Sequence, residues 1–340
     1  MHWLQWMRRE VRDPGRNRVG SVVRFRGHMV AAVAAVFVAL SLVALAATSD
    51  REAGAQTPVD RQSASQTNPV SSGQGGVGAG GALLGEQGPV PVGANDPACQ
   101  VTEENPNPVV LVHGTFENAA QNWATVSPKL RSEGYCVYAL NYGFNAGLFG
   151  TGDIRESAAE LGEFVDRVLA HTGAEKVDVV GHSQGGMMPR YWMKYLGGTE
   201  KVDDLVGLAP SNQGTLTPAA VLYTRLVNGL GISGSGLDAC VACRQQTAGS
   251  AFMREVNAGD ETPGDVSYTV IATRTDTVIV PFTFSFLGDH PDELLENITL
   301  QNVRPADLSG HLSIPYSPIA YRLIVNALER EGPANPTRAL

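Results

Sequence analysis

The residues best suited to chemistry form the run Gly181-His182-Ser183-Gln184-Gly185. A β-branched run at residues 177–180 precedes it, and a helix-like segment begins at Gly186. In a sharp turn from strand to helix the serine is held at the end of the sheet, and flanking glycines avoid steric clashes. The positive end of the helix dipole favours negative charge there. The context therefore favours a nucleophilic serine over an ordinary turn that contains one.

A serine hydroxyl is a weak nucleophile and needs a general base, for which the sequence offers seven histidines. Where serine, acid and histidine follow one another in that order, the histidine comes after the last strand of the sheet. His311 follows the last predicted strand, at residues 298–303, and is the favoured base. His290 precedes that strand and is expected to be a solvated loop residue. The other histidines lie in the N-terminal segment, in motifs near Ser183 or at the end of a helix: His2, His28, His113, His182 and His171.

The third member of such a set is a carboxylate, which fixes the tautomer of the histidine and stabilises the imidazolium that forms. Asp276 lies just past a predicted strand at residues 268–272, as the chain order requires. Asp289, Asp292 and Asp307 are the alternatives, and we expect these three to be surface charges.

A serine nucleophile also needs an oxyanion hole, formed by two backbone N–H groups aimed at the developing charge. One donor is the residue after the nucleophile, Gln184, and the other comes from the loop after an early strand. That loop is His113-Gly114-Thr115-Phe116, in which Thr115 is the predicted donor and Phe116 the competing one. His113 is expected to have a structural hydrogen-bonding role.

An alternation of strand-like and helix-like segments from about residue 96 must position these side chains. The clearest helix has apolar residues at spacings of three and four, and Gly173 ends it. The predicted helices lie at residues 154–169, 187–196 and 318–328, and the predicted strands at residues 108–112, 136–140, 177–180, 205–209, 268–272 and 298–303. This alternation predicts an α/β fold with a mostly parallel sheet and helices on both faces. The serine, the acid and the histidine are then expected to meet at one rim of the sheet.

The N-terminal segment has the order basic, apolar, small that is typical of a secretory signal peptide. Basic residues up to Arg26 precede a stretch at residues 29–47 that is apolar except for Ser41. The prediction is a signal peptide over residues 1–47 and a secreted, extracellular protein. A retained membrane anchor is the alternative, since about 18 apolar residues can span a bilayer.

The remaining organisation follows from composition. Residues 48–95 are rich in Gly, Ser, Gln and Pro and predict a flexible linker. The folded domain is predicted over residues 96–332, and residues 333–340 form a tail. Residues 214–258 interrupt the strand–helix alternation and are the candidate for a small cap or lid.

The charge distribution argues against a nucleic-acid partner. The chain has a formal net charge of −9, but residues 1–55 carry eight arginines and four acids, so the remainder carries −13. Phosphate backbones need clustered Lys and Arg. An acidic body also disfavours electrostatic docking on anionic lipid.

Four cysteines in an exported chain suggest two disulfides, with three connectivities. The run from Cys240 to Cys243 would be a redox motif only in a thioredoxin-like context, and half of a zinc site only with a second Cys/His pair nearby. The sequence offers neither context. The favoured structural bridges are Cys99–Cys136 and Cys240–Cys243, and no metal site is predicted.

Together these residues resemble the class 2 lipase family of secreted bacterial esterases and triacylglycerol lipases, over most of residues 96–328. The resemblance is carried by VVLVHGT at 109–115, GYCVY at 134–138, GHSQGGMMPRYW at 181–192, LVGLAP at 205–210 and DTVIVP at 276–281. It implies an α/β-hydrolase fold and an ester hydrolase that uses no metal and no other cofactor.

The resemblance also implies roles for particular residues. Ser183, Asp276 and His311 would form the catalytic triad. Thr115 and Gln184 would donate to the oxyanion. A disulfide would join Cys99 to Cys136. The expected partner is a small-molecule or lipid ester. The protein is expected to be a monomer that contacts a lipid interface transiently.

Two other functions use the same features. An acyltransferase or a polyester depolymerase on this fold would share the triad. A non-catalytic cell-surface binding protein would be expected to have a broken triad or a blocked turn, and the sequence has neither. Apolar residues near the acid and the oxyanion loop are candidates for an acyl pocket, with ordinary core positions as the alternative: Val278, Ile279, Phe116, Phe282 and Phe284.

Overall fold

A computed structural model describes residues 88–216, 240–288 and 294–338 of the chain. The predicted signal peptide, most of the predicted linker, residues 217–239 of the candidate cap and the last two residues of the tail lie outside the described residues. Asp289, His290 and Asp292 also lie outside them. In the described parts, no helix combines the length and the apolar character needed to cross a bilayer.

Six short strands form one sheet in the order β2-β1-β3-β4-β5-β6, and every neighbouring pair is parallel. The strands are β1 Val109–Val112, β2 Val137–Leu140, β3 Val177–His182, β4 Val202–Leu208, β5 Ser267–Ala272 and β6 Leu295–Thr299. Most residues of β1 to β5 are buried, because helices cover both faces of a parallel sheet. The predicted mostly parallel sheet is confirmed.

Eight α-helices accompany the strands in the described residues: α1 Ala119–Asn122, α2 Val126–Ser132, α3 Ile154–Thr172, α4 Gln184–Tyr195, α5 Val241–Gln245, α6 Ala251–Val256, α7 Leu300–Val303 and α8 Pro318–Leu328. Short 3-10 turns lie at Thr199–Lys201, Phe282–Ser285 and Ile314–Tyr316. Alternate residues of β1 enter two different cores, since Val110 and Val112 pack with α3 and α4 while Val109 and Leu111 pack with α2 and α8. The sheet therefore has helical layers on both faces, as the sequence predicts.

The helix α3 illustrates how local signals fix an element. The side chain of Asp153 accepts a hydrogen bond from the backbone N–H of Arg155 at 2.8 Å and caps the first turn. Apolar residues along one face, including Leu161 and Val165, are fully buried. Gly173 ends the helix with a φ of 73°, a left-handed conformation that glycine adopts without strain.

The prediction of the last strand is partly wrong. The sequence predicts a strand over residues 298–303, whereas β6 ends at Thr299 and residues 300–303 form α7. The strand stops there because β6 reaches the same edge as β5, with Thr299 paired to Ala272. The chain then turns across the end of β5, where Gln301 Oε1 accepts a hydrogen bond from the backbone N–H of Arg274 at 2.9 Å. Leu300 continues the apolar alternation that predicted the strand, but in the structure it is a buried residue of α7.

Both ends of the folded region pack against the sheet. The linker is predicted to reach residue 95, but the buried Asn95 exchanges hydrogen bonds of 2.9 and 2.8 Å with the backbone of Ala139 in β2. In the predicted tail, Ala334 is buried and its N–H donates to Thr269 Oγ1 at 2.9 Å. The described stretches 88–95 and 333–338 are therefore ordered parts of the fold.

Both favoured disulfides are present. Cys99–Cys136 ties the segment before β1 to the residue before β2, with a Cα–Cα distance of 5.6 Å. Cys240–Cys243 spans the start of α5, and its Cα–Cα distance is 5.3 Å. Phe252 and Met253 of the following helix, α6, are buried in the core beside α4. The described part of the candidate cap that follows Cys240 is thus packed on the domain.

Candidate active site

Ser183 stands at the turn between β3 and α4 in a strained backbone conformation. Its φ of 55° and ψ of −121° lie where residues other than glycine are rarely found. The surrounding backbone holds it there, since Ser183 N–H donates to Leu208 O at 2.9 Å and Ser183 O accepts from Gly186 N–H at 3.1 Å. Such strain is typical of a nucleophile that a sharp turn presents at the end of a sheet.

The glycines around Ser183 are required by close backbone contacts. A Cβ atom added to Gly181 would lie 2.0 Å from Gly185 O, and one added to Gly185 would lie 2.2 Å from Val112 O. Neither oxygen can move away, because Val112 O belongs to the backbone of β1 and Gly185 O to the backbone of α4. The spacing of glycines in the sequence motif therefore has a direct steric cause.

The three side chains named from the sequence converge at the carboxyl ends of the strands. His311 Nε2 lies 2.9 Å from Ser183 Oγ, and His311 Nδ1 lies 2.8 Å from Asp276 Oδ2. All three residues are buried. These distances suit a hydrogen-bonded chain from carboxylate to imidazole to hydroxyl, in which the imidazole can take the hydroxyl proton.

Asp276 is fixed by its own loop. Its second oxygen, Oδ1, accepts hydrogen bonds from the backbone N–H of Val278 at 2.7 Å and of Ile279 at 2.8 Å. Ile279 is 1% exposed, and Val278 is half-buried. Val278 and Ile279 are candidates for an acyl pocket. In the structure, their backbone N–H groups orient the carboxylate of Asp276.

The oxyanion loop after β1 distinguishes the two candidate donors. The backbone N–H of Phe116 donates to Phe149 O at 3.1 Å, so that it is already engaged, and Phe116 packs against the core. Gln184 is the first residue of α4, where a backbone N–H has no partner within the helix. Thr115 lies beside it, because the Thr115 hydroxyl donates to Gln184 Oε1 at 2.8 Å. Thr115 and Gln184 therefore remain the pair of candidate donors.

A residue that sequence reasoning missed braces this loop. Gln246 Nε2 donates to Thr115 Oγ1 at 2.9 Å and to Gln184 Oε1 at 2.8 Å. Ser211 Oγ donates to Gln246 Oε1 at 2.8 Å and so fixes the orientation of the amide. No spacing rule connects residue 246 to the motifs; the only local signal is its place just after α5 and the Cys240–Cys243 bridge.

His113 has the structural role expected for it. The ring stacks on Tyr142 with a centroid distance of 4.4 Å, and Nδ1 donates to Gly114 O at 2.8 Å. Complete burial is the main cause that lowers the pKa of His113 to about 4, so the ring is neutral at physiological pH. A neutral, stacked ring at this position shapes the start of the oxyanion loop.

A second pair that sequence reasoning missed, Glu117 and His182, lies behind the nucleophile. His182 Nδ1 lies 2.8 Å from Glu117 Oε2, and His182 Nε2 lies 2.9 Å from the backbone O of His311. Glu117 Oε2 also accepts from Gly114 N–H at 3.2 Å. The signal available in the sequence is only that Glu117 follows the oxyanion loop and His182 precedes Ser183.

Among the alternative acids, Asp307 is described and is engaged elsewhere. Its oxygens accept from Ser309 N–H at 2.8 Å and from Ser317 Oγ at 2.6 Å. Burial raises the pKa of Asp307, but these hydrogen bonds outweigh burial and the pKa is lowered. Asp307 therefore supports the loop that carries His311 and the start of α8, while Asp276 contacts the imidazole.

In the described residues, one group of acids has the spacing of metal ligands. Carboxylate oxygens of Asp178, Asp203 and Asp204 lie within 4.8 Å of one another at the amino ends of β3 and β4, the opposite end of the sheet from Ser183. Lys176 Nζ lies 3.1 Å from Asp203 Oδ1 and compensates part of this charge. The group is separate from the candidate active site.

The fold is similar to the crystal structure of Aspergillus fumigatus lipase B, with a TM-score of 0.58 and 20% identity over 75% of this chain and 66% of that chain. A likeness at this identity concerns the fold alone. It confirms the predicted α/β-hydrolase fold.

Two curated relatives match a shorter part of the sequence. A triacylglycerol lipase from Pseudarthrobacter phenanthrenivorans is 41% identical over 92 residues, which cover 25% of this chain and 27% of that protein. A triacylglycerol lipase from Burkholderia plantarii is 41% identical over 92 residues, which cover 25% of this chain and 24% of that protein. The chain thus spans about a quarter of the length of the curated relatives it matches.

The family comparison covers more of the sequence. Residues 106–296, which include Thr115, Ser183, Gln184 and Asp276, match the family described as Lipase (class 2). This match extends over more than half of the 340 residues. The chain therefore belongs to the class 2 lipase family.

Proposed function

We propose that this protein is a serine hydrolase that cleaves carboxylic esters, including lipid esters. The observation that carries the proposal is the chain of contacts from Asp276 through His311 to Ser183, with distances of 2.8 and 2.9 Å. Membership of the class 2 lipase family and the name triacylglycerol lipase of both curated relatives support it.

In the first half of the proposed reaction, Ser183 Oγ attacks the carbonyl carbon of the ester while His311 Nε2 takes the hydroxyl proton. The carbonyl oxygen becomes an oxyanion, which accepts hydrogen bonds from the backbone N–H groups of Thr115 and Gln184. His311 then gives its proton to the leaving alcohol, and the C–O bond of the ester breaks. The product is an acyl group bound to Ser183. Asp276 holds the imidazole in the required tautomer throughout.

In the second half, a water molecule replaces the alcohol. His311 takes a proton from the water as its oxygen attacks the acyl carbon, and a second oxyanion forms in the same hole. When it collapses, the bond to Ser183 Oγ breaks and His311 returns the proton to the serine. The carboxylic acid leaves, and the three side chains are restored.

Exposed apolar side chains near the site support a lipid ester as substrate. Leu308 and Leu312, on the loop that carries His311, are 82% and 57% exposed. Val280, four residues after Asp276, is 41% exposed. Apolar residues grouped on a surface favour contact with a lipid phase. Since the body of the protein is acidic, this contact depends on apolar area and not on attraction to anionic headgroups.

We further propose that the protein is exported. The signal-like N-terminal segment and the two disulfides support this proposal, because disulfides persist mainly in oxidising compartments. Fractionation of the native host would test it, with an antibody to the folded domain: detection in the culture medium supports export, whereas detection only in the cytosol contradicts it.

The proposed activity is tested with p-nitrophenyl esters and triglycerides of increasing acyl length. The wild-type protein should hydrolyse at least part of this panel, and Ser183→Ala should lower turnover by roughly 10⁴-fold or more. The control is Ser132→Ala at an exposed position of α2, which should hydrolyse the esters at the wild-type rate. Wild-type turnover in a folded Ser183→Ala variant would contradict the proposal.

A further inference from the structure

His182, the residue before the nucleophile, is fully buried and faces an oxygen atom with each ring nitrogen. Nε2 lies 2.9 Å from the backbone O of His311, and a carbonyl oxygen only accepts hydrogen bonds, so Nε2 carries a proton. Nδ1 lies 2.8 Å from Glu117 Oε2. That oxygen already accepts from Gly114 N–H at 3.2 Å, as a carboxylate oxygen does. A proton must therefore lie between Nδ1 and Oε2, because an unprotonated nitrogen and a carboxylate would repel each other at this distance. The more basic imidazole nitrogen is the site that the surrounding charges favour for it.

We propose that His182 is a buried imidazolium paired with Glu117, and that this ion pair positions His311 by holding its backbone carbonyl. The inference rests on the proposed function, since the position of His311 matters to turnover only if His311 is the general base. His182 and Glu117 are positioning residues: in the proposed reaction neither touches the ester.

The charged groups around the pair favour its ionised form. Burial alone would lower the pKa of His182, but the charge and hydrogen bond of Glu117 outweigh burial and raise it, with Asp276 adding to the effect. Burial likewise raises the pKa of Glu117, but the charge and hydrogen bond of His182, together with His311 and His113, lower it further than burial raises it. Both shifts favour the carboxylate and the imidazolium over the neutral pair.

The pair connects the three segments from which the site is assembled. Glu117 contacts the oxyanion loop through Gly114, His182 adjoins Ser183, and the Nε2–H group of His182 reaches the loop of His311. Asn122 completes the connection, since its Oδ1 accepts from Gly114 N–H at 3.0 Å and lies 3.3 Å from His182 Nδ1, where it can also accept from a protonated ring nitrogen. A displacement of about 1 Å in a reacting group can cost on the order of 10²-fold in rate. Holding these segments in register therefore affects turnover directly.

A matched pair of substitutions separates the two contacts of His182. The amide nitrogen of asparagine can replace Nδ1 opposite Glu117, but it cannot reach the carbonyl of His311. The longer glutamine can place its amide nitrogen where Nε2 stood. We expect His182→Asn to lower kcat by about 10- to 100-fold with little change in KM, the range for a lost charge-assisted hydrogen bond, and His182→Gln to retain most of the kcat. Equal losses in the two variants would overturn the positioning role.

The protonation state is measured in the wild-type full-length protein, which avoids any variant that fails to fold. In protein labelled with ¹⁵N-histidine, the ring nitrogen shifts report directly which nitrogens carry protons. We expect both nitrogens of His182 to be protonated between about pH 6 and pH 8, where an unperturbed histidine titrates. The signals are assigned by their absence from His182→Gln. A ring with a single protonated nitrogen at pH 7 would overturn the inference.

Glu117→Gln gives a complementary result with the same labelling. Glutamine keeps the size of the side chain and removes its charge, so that the main group opposing the effect of burial on the pKa of His182 is lost. We expect His182 to have one protonated nitrogen at neutral pH in this variant, and two protonated nitrogens there would contradict the ion pair. These NMR readouts need no turnover. A wild-type protein without esterase activity would end the proposed function, whereas a singly protonated His182 in an active protein would overturn this inference alone.

Discussion

The two ends of the parallel sheet both bury carboxylates, but they compensate the negative charge differently. At the carboxyl ends of the strands, Asp276 accepts two backbone N–H groups and contacts the His311 imidazole. Glu117, at the same end, contacts the His182 imidazole and accepts from Gly114 N–H. Both carboxylates have donors of their own, Asp276 in a buried position and Glu117 in a half-buried one.

At the amino ends of the strands, carboxylates are neighbours of one another. Asp178 and Asp204 are buried beside Asp203, and Asp204 Oδ1 has no hydrogen-bond partner among the described residues. Burial, followed by the charge of Asp203, raises the pKa of Asp178 to about 7. Burial and the charge of Asp178 also raise the pKa of Asp204 well above its usual range. Asn107 and Lys176 donate to this group but do not compensate it fully.

Burial alone therefore does not decide the charge of an acid. Burial penalises the ionised form at both ends, and the number and sign of the nearest partners determine whether the pKa rises or falls. The acids at the carboxyl end have hydrogen-bond donors, and Asp276 among them is proposed to take part in catalysis. The amino end stores unfavourable interactions, and a loss of charge there should stabilise the protein.

The largest effect is expected at the carboxyl end, for Asp276→Asn. An amide in place of the carboxylate favours the wrong tautomer of His311, and turnover should fall by roughly 10⁴-fold, as in other triads. The measurement is kcat on a soluble ester, with the melting temperature as a check on folding. Asp307→Asn is the matched control, for which we expect a loss of less than about tenfold, because Asp307 supports the loop without contacting the imidazole. Equal losses in the two variants would contradict the assignment of the acid.

At the amino end, Asp178→Asn should increase stability, and the gain should depend on pH. In the folded protein the pKa of Asp178 is raised to about 7, so between about pH 4 and pH 7 the folded state binds more protons than the unfolded state. The free energy of unfolding of the wild type therefore falls as the pH rises through this window. The variant avoids that loss, and we expect a gain of about 2 to 4 kcal/mol at pH 8.

This prediction is checked by urea unfolding of wild type and variant at pH 4 and at pH 8. The gain at pH 4 should be small, since Asp178 is then protonated in the folded wild type. Asp265→Asn is the control. Asp265 is exposed and lies outside the group of Asp178, Asp203 and Asp204, so this substitution should change stability equally at both pH values. A destabilised Asp178→Asn variant at pH 8 would mean that the amino-end acids are compensated after all.

The smallest effect on activity is expected from the exposed apolar residues beside the candidate active site, at the carboxyl ends of the strands. Leu312→Ser removes an apolar side chain that is 57% exposed beside His311. Because an apolar contact with lipid contributes on the order of 1–2 kcal/mol, activity on emulsified triglyceride should fall several-fold while activity on a soluble short ester is retained. Val92→Ser, at a residue that is 80% exposed and flanks none of the site residues, is the control. Equal losses on both substrates would contradict a contact of Leu312 with lipid.

Much of the fold could be predicted from the sequence, because local signals dominate where strands are short and buried. Five of the six strands lie within a few residues of their predicted positions, the end of α3 agrees with its glycine cap, and α8 spans the predicted residues 318–328. The end of β6 could not be predicted, since it depends on where β5 ends in space. The serine motif and the chain order of the triad were readable because each has a steric or chemical requirement at a fixed place in the sequence.

The partners of the site were not readable. Gln246, Glu117 and His182 act through contacts between residues that are 62 to 131 positions apart in sequence, and no spacing rule spans such distances. The same holds for the acids at the amino end, where the parallel register brings β3 beside β4. Sequence reasoning named the groups that are proposed to react, and only the fold revealed the groups that hold them.

The central claim, that His311 activates Ser183, is tested most directly by labelling the protein with a fluorophosphonate and mapping the adduct by peptide mass spectrometry. We expect a single adduct on Ser183, and a labelling rate that falls by about 10³-fold or more in His311→Ala, because serine without its base is a poor nucleophile. An adduct on another serine, or a His311→Ala variant labelled as fast as the wild type, would contradict it.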